Sequence, residues 1–203
     1  MTKTNSTGIM RKALIIIALL ISTVCIHAQK EKWYQAGFRV STQFMLNKEY
    51  TPTAHVSSMR TVHFGGYFRA GKYVYGEIGL GYQYFKHNFS IYDQNGNKLE
   101  DLVENRYLVI PIRAVGEVKI SKKIFFLPHV GISYQPLLKV TENILEFNKQ
   151  TFEPHWVLLT TGFDMRFGFI TLGVDYRYSF QHFFQNQDGK KPQYIGISAG
   201  VIF

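Results

Sequence analysis

Residues 171–179 read Thr-Leu-Gly-Val-Asp-Tyr-Arg-Tyr-Ser, and this stretch decides the fold class. Every second residue is apolar or aromatic, while the residues between them are small, polar or ionised. A period of two in aromatic and β-branched residues predicts a β-strand whose two faces meet different surroundings. Asp175 and Arg177 share one face, so that face must give them water or counter-ions.

The same alternation recurs along the chain from Trp33 onward, and no segment there has a helical period. It defines eight stretches, at residues 36–44, 62–70, 74–83, 108–117, 126–135, 157–166, 171–179 and 195–203. We therefore predict an all-β fold, an eight-stranded antiparallel up-and-down barrel. A further hairpin hidden in a long connection would raise the strand number to ten.

Ionised residues occupy only one face of these stretches. Nine of them share the face of Asp175, and none lies on the apolar face. Alternation alone does not fix which face is inside, because a soluble periplasmic barrel of lipocalin type turns its apolar face inward. That soluble binder is therefore one alternative.

Two observations favour a transmembrane barrel with lipid on the apolar side. The polar face is rich in glycine, as at Gly173 and Gly196, which suits a crowded and narrow lumen. Aromatic residues such as Phe44, Tyr82 and Tyr178 lie toward the ends of the apolar face, where outer-membrane barrels carry interfacial girdles.

With lipid outside, the nine ionised residues point into the barrel. An eight-stranded barrel is just filled by its side chains, so these ions are expected to pair with one another. They form a predicted lumen charge network with a structural role, consisting of Arg39, Arg69, Glu77, Arg113, Glu117, Asp164, Arg166, Asp175 and Arg177.

Short and long connections alternate along the chain. Tight turns are predicted at Gly71-Lys72, at residues 121–123 and at Gly168, and long connections at residues 47–58, 86–104, 137–152 and 181–192. In outer-membrane barrels the short turns face the periplasm and the long loops face outward. Both ends of the barrel domain are then periplasmic. Residues 93–97 predict a hairpin tip, so the strands beside it can project beyond the membrane.

The N-terminal segment is predicted to be a cleavable signal peptide. Lys3, Arg11 and Lys12 precede fourteen uncharged residues, 13–26, a run too short to span a bilayer as a helix. We predict cleavage between Ala28 and Gln29, which gives a signal peptide at 1–28 and a barrel domain at 29–203. The alternative is a lipoprotein acylated at Cys25.

Removal of this segment takes away the single cysteine and lowers the net charge from +9 to +6. Disulfides and cysteine-ligated metals are then impossible in the mature protein. The remaining Lys and Arg are scattered, and export separates the protein from nucleic acid. Anionic outer-membrane lipid, including lipopolysaccharide, is the predicted partner of this positive charge.

No residue pattern predicts an enzyme, a cofactor or a metal site. An acyl hydrolase or transferase acting on lipid is the enzymatic alternative, and it needs a serine within reach of a histidine. His129 and Ser133 share an inward face but lie too far apart, while His63, His155 and His182 could meet a serine on another strand. The remaining histidines lack metal-ligand spacing, and His87 is interpreted as part of a solvated loop.

Pro111 interrupts an otherwise regular strand, where proline usually marks a bulge. The surrounding segment, Tyr107-Leu108-Val109-Ile110-Pro111-Ile112, resembles a strand of the PorT-like outer-membrane β-barrel family of Bacteroidota. Residues 126–131, 158–163 and 172–178 are similar to further segments of that family. Phe203 likewise resembles the terminal aromatic residue of an outer-membrane assembly signal.

The resemblance implies an exported outer-membrane barrel without catalytic residues, and a link to type IX secretion and gliding machinery. The assembly signal implies the barrel-assembly machinery as a partner during biogenesis. We therefore predict a non-enzymatic outer-membrane protein with a structural or binding role, exerted through its outer loops or as an accessory of a secretion or envelope complex.

Overall fold

The computed structural model describes residues 33–46, 54–92, 97–141, 143–144, 146–185 and 191–203. The predicted signal peptide with its cleavage site at Ala28 and Gln29, and residues 93–96 of the predicted hairpin tip, lie outside this part. The described residues contain no helix long and apolar enough to cross a bilayer. Their strands are β1 (Tyr34–Met45), β2 (Ala54–Gly71), β3 (Val74–Tyr92), β4 (Lys98–Gly116), β5 (Val118–Lys119), β6 (Ile124–Val140), β7 (His155–Phe167), β8 (Ile170–Ser179) and β9 (Gln193–Ile202).

The strands close into a barrel. Each long strand pairs antiparallel with its neighbours, β1 pairs with β9, and β4 pairs with β6 to complete the ring. The short β5 continues β4, because Val115 pairs with His129 and Val118 pairs with Phe126 in the same register. The described chain therefore forms an eight-stranded antiparallel up-and-down barrel, which confirms the predicted fold class.

The apolar face is on the outside. Phe38, Leu80 and Ile112 are 43%, 59% and 51% exposed, whereas the ionised Glu77 and Asp175 on the opposite face are 2% and 3% exposed. A soluble barrel would bury the apolar face in its centre. The lipocalin-like alternative is therefore wrong, and the outer surface suits hydrocarbon.

The three predicted tight turns are confirmed. β2 joins β3 after Gly71, β5 joins β6 across residues 120–123, and β7 joins β8 through Gly168. Gly168 has a φ of 64°, a left-handed conformation that favours glycine. We call this side of the barrel the turn end and the opposite side the loop end.

Several strands run further toward the loop end than the eight stretches, and β3 and β4 do so as the predicted hairpin tip at residues 93–97 implied. The third stretch was expected to finish near Gln83, yet β3 continues to Tyr92, and β4 begins at Lys98. In these extensions the two faces exchange polarity. On β3, Ile78 and Leu80 point outward near the turn end, whereas beyond Tyr84 the aromatic residues Phe85 and Phe89 are buried.

Pro111 does not form the expected bulge. It pairs with Ser133 of β6, and the register between β3 and β4 is unchanged on either side of it. The glycine opposite, Gly79, leaves the proline ring its space, since a Cβ there would lie 3.0 Å from the ring. The irregularity of β4 lies instead between Arg106 and Tyr107.

Candidate functional site

The centre of the lumen holds ion pairs that connect different strands of the wall. Arg39 on β1 places Nη2 2.6 Å from Oδ2 of Asp164 on β7, and Nη1 3.7 Å from Oε1 of Glu77 on β3. Arg113 on β4 also donates to Oε1 of Glu77. All four side chains are at least nine-tenths buried, so these pairs fill the barrel at this level.

A second group of ions lies nearer the turn end. Nη1 of Arg166 is 3.1 Å from Oε2 of Glu117, and Nη2 of Arg69 is 4.0 Å from the same oxygen. Arg69 also donates through Nε to Gln35 at 2.7 Å and stacks over the ring of Tyr75. Glu117 therefore pairs with arginines from β2 and β7, which lie on opposite sides of the ring.

Asp175 and Arg177 form a third group within β8. Nε of Arg177 donates to Oδ1 of Asp175 at 2.6 Å. Glycines give these carboxylates their space: a Cβ at Gly196 would lie 2.7 Å from Oδ1 of Asp175, and a Cβ at Gly173 would overlap Oδ1 of Asp164. At these two positions, glycine leaves room for the carboxylate next to it.

All nine residues of the predicted network lie inside the barrel, and each is paired with an opposite charge. Sequence analysis placed them on the correct face. It could not name the partners, because Arg39 and Asp164 are 125 residues apart and meet only when the ring closes.

Above the ions, the loop end holds a core that sequence analysis missed. Its buried members are Phe85, Phe89, Val103, Tyr107, Phe152, Trp156, Leu158, Phe183, Phe184 and Tyr194. Trp156 is fully buried, stacks on Tyr107 at 5.1 Å and meets Phe85 edge-on at 5.5 Å. The signal was present in the sequence, because the period of two continues through Phe85 and Phe89 after the apolar residues change face.

His87 belongs to this core, so its interpretation as part of a solvated loop was wrong. Its ring is fully buried and lies 4.8 Å from Phe183 and 5.7 Å from Phe85. Neither ring nitrogen has a hydrogen-bond partner in the described part of the chain. His87 lies past Lys86, beyond the lipid-facing part of β3, and burial lowers its pKa to about 3.

One serine and one histidine do meet in the lumen. Ser41 and His63 are opposite each other on β1 and β2, and Oγ lies 3.3 Å from Nδ1. Both side chains are buried, and Nε2 of His63 has no hydrogen-bond partner among the described residues. A hydrolytic triad orients its histidine through a third group, which this pair does not display.

His129 and His155 contact groups other than a serine hydroxyl, and His182 lies in the connection between β8 and β9. Nδ1 of His129 is 4.0 Å from Asp164, and Ser133 accepts a hydrogen bond from Gln135. His155 bonds to the hydroxyl of Tyr134 on the outer face. Within the described ranges, no three His, Cys, Asp or Glu side chains converge to form a metal site.

Phe203 lies at the turn end beside β1. Its backbone nitrogen donates to the carbonyl of Ala36 at 2.8 Å, and its carbonyl accepts from the nitrogen of Ala36 at 3.3 Å. The last residue is thus bonded into the seam between β1 and β9. Its part in an assembly signal stays a prediction.

Comparison with solved structures yields distant barrels. The outer membrane protein OprG from Pseudomonas aeruginosa is 11% identical, with a TM-score of 0.49 over 86% of this chain and 98% of that one. Neisserial surface protein A is 12% identical, with a TM-score of 0.45 over 84% and 96%. LpxR from Salmonella typhimurium is 6% identical, with a TM-score of 0.36 over 83% and 100%.

A search of curated proteins finds no match to this chain. Residues 16–203, which include every described strand, match the family model described as the outer membrane protein beta-barrel domain. A closed barrel with an apolar outer face and ions within is the architecture that such a family requires. The chain therefore belongs to the outer membrane protein beta-barrel domain family and is a barrel of the bacterial outer membrane.

Proposed function

We propose that the protein is a non-enzymatic outer-membrane barrel whose loop end is a rigid binding platform facing away from the cell. The observation that carries this proposal is the aromatic core of the loop end. β3 and β4 extend past the lipid-facing residues and bury Phe85, Phe89 and Val103 in the same core as Trp156. A core of this kind holds the outer strands and the connections between them in fixed positions.

The side chains that fill the lumen support a structural scaffold rather than a channel. Arg39 reaches both Glu77 and Asp164 across the barrel, and fully buried aromatic residues lie above this level. We propose that the nine-residue lumen charge network is structural, because each charge offsets a partner that would otherwise be buried alone.

One connection at the loop end is held by specific hydrogen bonds. Asn143 donates through Nδ2 to the carbonyls of Thr141 and Phe147, and its Oδ1 accepts from the nitrogen of Phe147. Asp101 accepts from the nitrogen of Ile144 at 2.6 Å. These contacts fix exposed residues of the loop end as a docking surface requires.

Cysteine labelling on intact cells tests the orientation. Lys149→Cys places a thiol on an exposed loop-end residue, and Lys122→Cys places one on an exposed turn-end residue. We expect a membrane-impermeant maleimide to label position 149 on intact cells and position 122 only after lysis. The reverse result would contradict the proposal that the loop end faces away from the cell.

A lipid-acting hydrolase or transferase is the second candidate, and the Ser41–His63 contact is the observation in its favour. Folded protein incubated with phospholipid and lipopolysaccharide is expected to release no acyl chains. Release that disappears in Ser41→Ala, with heat-modifiable gel migration retained, would replace the binding proposal with an enzymatic one.

The PorT-like resemblance supports a narrower proposal, an accessory role in type IX secretion or gliding. Deletion of the protein is then expected to reduce secretion of type IX cargo, and complementation with the full chain is expected to restore it. Unchanged secretion and gliding in the deletion strain would confine the function to the envelope itself.

A further inference from the structure

The outer face carries an uneven cluster of charge where the lipid-facing residues end toward the loop end. Its cations are Arg60 on β2, Lys86 on β3, Arg106 on β4 and Lys139 on β6. Arg60 is directly opposite Lys86, and Arg106 is directly opposite Lys139. We call these four residues the basic rim patch.

Two such like-charged cross-strand pairs work against the sheet that contains them. One carboxylate lies among them: Oε1 of Glu104 is 3.3 Å from Nζ of Lys86. The next carboxylate on this face of β4, Glu100, is four residues away, opposite Ser90. The described patch with Glu104 thus keeps three positive charges in excess.

The guanidinium of Arg106 keeps a donor without a partner in the described part of the chain. Its Nε is shielded from solvent and has no hydrogen-bond partner among the described residues. Its cross-strand neighbours are Tyr84 on one side and Lys139 on the other. An anion placed between Arg106 and Lys139 would satisfy both groups.

The patch occupies the depth of lipid headgroups. Two residues further toward the turn end, the next outward side chain after Arg60 is Val62 and the next after Arg106 is Leu108. Both belong to the apolar outer face. On β1 and after β8, Phe44, Leu46 and Phe180 are about half exposed near this level. Lys191, just before β9, is a separate described cation. The four cations of the patch thus lie together on the β2–β6 side of the barrel.

We infer that the basic rim patch binds the phosphate groups of an anionic glycolipid in the outer leaflet. This inference rests on the proposed outward orientation of the loop end. Arginine binds phosphate oxygens in a bidentate manner, lysine adds a point charge, and the acyl chains lie along Val62, Tyr84 and Leu108. Because the four cations lie on β2, β3, β4 and β6, the lipid binds on that side of the barrel.

The test uses the purified full chain in neutral detergent, where both ends are accessible whatever the orientation in cells. The probes are diphosphorylated lipid A, its dephosphorylated form and inorganic phosphate, with binding read by native mass spectrometry. The test variant is Arg106→Gln with Lys139→Gln. The matched control is Lys122→Gln with Lys123→Gln, which removes two exposed cations at the turn end.

We expect the rim variant to bind diphosphorylated lipid A about 25-fold more weakly, from roughly fivefold for each of the two basic groups removed. The control is expected to bind as the unchanged protein does. Equal binding of the dephosphorylated lipid, equal loss in the control, or full competition by inorganic phosphate at lipid concentration would overturn the inference.

The two proposals fail separately. If labelling on cells shows the reverse orientation while the rim variant still binds lipid A more weakly, the phosphate site is supported and the outward-facing platform is contradicted. If the orientation holds and the rim variant binds normally, the inference alone is wrong. Heat-modifiable migration confirms that both variants are folded before binding is measured.

Discussion

The turn-end part and the loop-end part of the same strands are built with opposite polarity. Near the turn end, β3 points Ile78 and Leu80 outward and holds Glu77 inside. Beyond Tyr84, the same strand buries Phe85 and Phe89 and points Lys86 outward. The backbone alternation is unbroken, so the exchange is one of side-chain chemistry alone.

This difference shows that the surroundings decide which face is apolar. Where hydrocarbon surrounds the barrel, apolar residues lie outside and ions must find partners within. Where water surrounds the strands, the hydrophobic effect buries the aromatic residues in the usual way. The level of exchange, near Tyr84 on β3 and Arg106 on β4, is therefore the membrane boundary on that side of the wall.

The largest expected effect comes from removing one lumen charge. Glu77→Leu leaves Arg113 without its carboxylate and Arg39 with Asp164 alone, so we expect a loss of about 3–5 kcal/mol in the free energy of unfolding. Urea unfolding in lipid vesicles measures it. The control Glu77→Leu with Arg113→Met removes both charges, and most of the stability should return. An equal loss in both variants would contradict the pairing.

The second largest effect is expected from truncation of a side chain in the loop-end core. Trp156→Ala removes contacts with Phe85, Tyr107 and Phe183, so we expect a loss of about 3 kcal/mol. Hydrogen exchange should rise in β3 beyond Tyr84 and change little near Ile78. Uniformly faster exchange along β3 would show that the two parts are one cooperative unit.

A lysine on the outer face distinguishes the two parts directly. Leu80→Lys places a charge in hydrocarbon, and we expect a loss of about 2 kcal/mol in lipid vesicles. Leu102→Lys, on the outer face of the loop-end extension, is expected to change stability by less than about 0.5 kcal/mol. Similar losses at the two positions would place both in one environment.

The smallest expected effect is an increase in stability. His87→Phe removes two buried nitrogens without partners, and we expect about 1 kcal/mol of added stability near pH 7. Burial lowers the pKa of His87 to about 3, so the folded state keeps it neutral while the unfolded chain protonates below about pH 6.5. The advantage of the variant should therefore grow as the pH falls from about 6.5 toward 3. A constant difference over that range would place His87 in contact with water.

Sequence reasoning reached the fold because a single physical pattern encodes it. The period of two gave the strand faces, glycines gave the tight turns, and the charges on the face of Asp175 gave the lumen. The loop-end core escaped because the expected pattern, apolar outside, reverses at Phe85. The hairpin tip predicted the projecting strands, but not that their inward face is aromatic.

The particular partners in the lumen were also beyond sequence reasoning. Ser41 meets His63, and Arg39 meets Asp164, only through the register and closure of the ring. The basic rim patch depends on the same registers, since Arg106 and Lys139 are ordinary surface cations until β4 and β6 are aligned. The alternation along the sequence specifies the face on which each residue lies, but not the register between neighbouring strands.

Oxygen accessibility along β9 tests the central claim, that lipid contacts the apolar face and the ionised face is enclosed. Single cysteines at Ile195, Ile197, Ser198 and Ala199 carry nitroxide labels in lipid vesicles, and collision rates with oxygen are read by electron paramagnetic resonance. We expect high rates at Ile195, Ile197 and Ala199, which are exposed, and a minimum at Ser198, which is buried. A maximum at Ser198 would contradict the account.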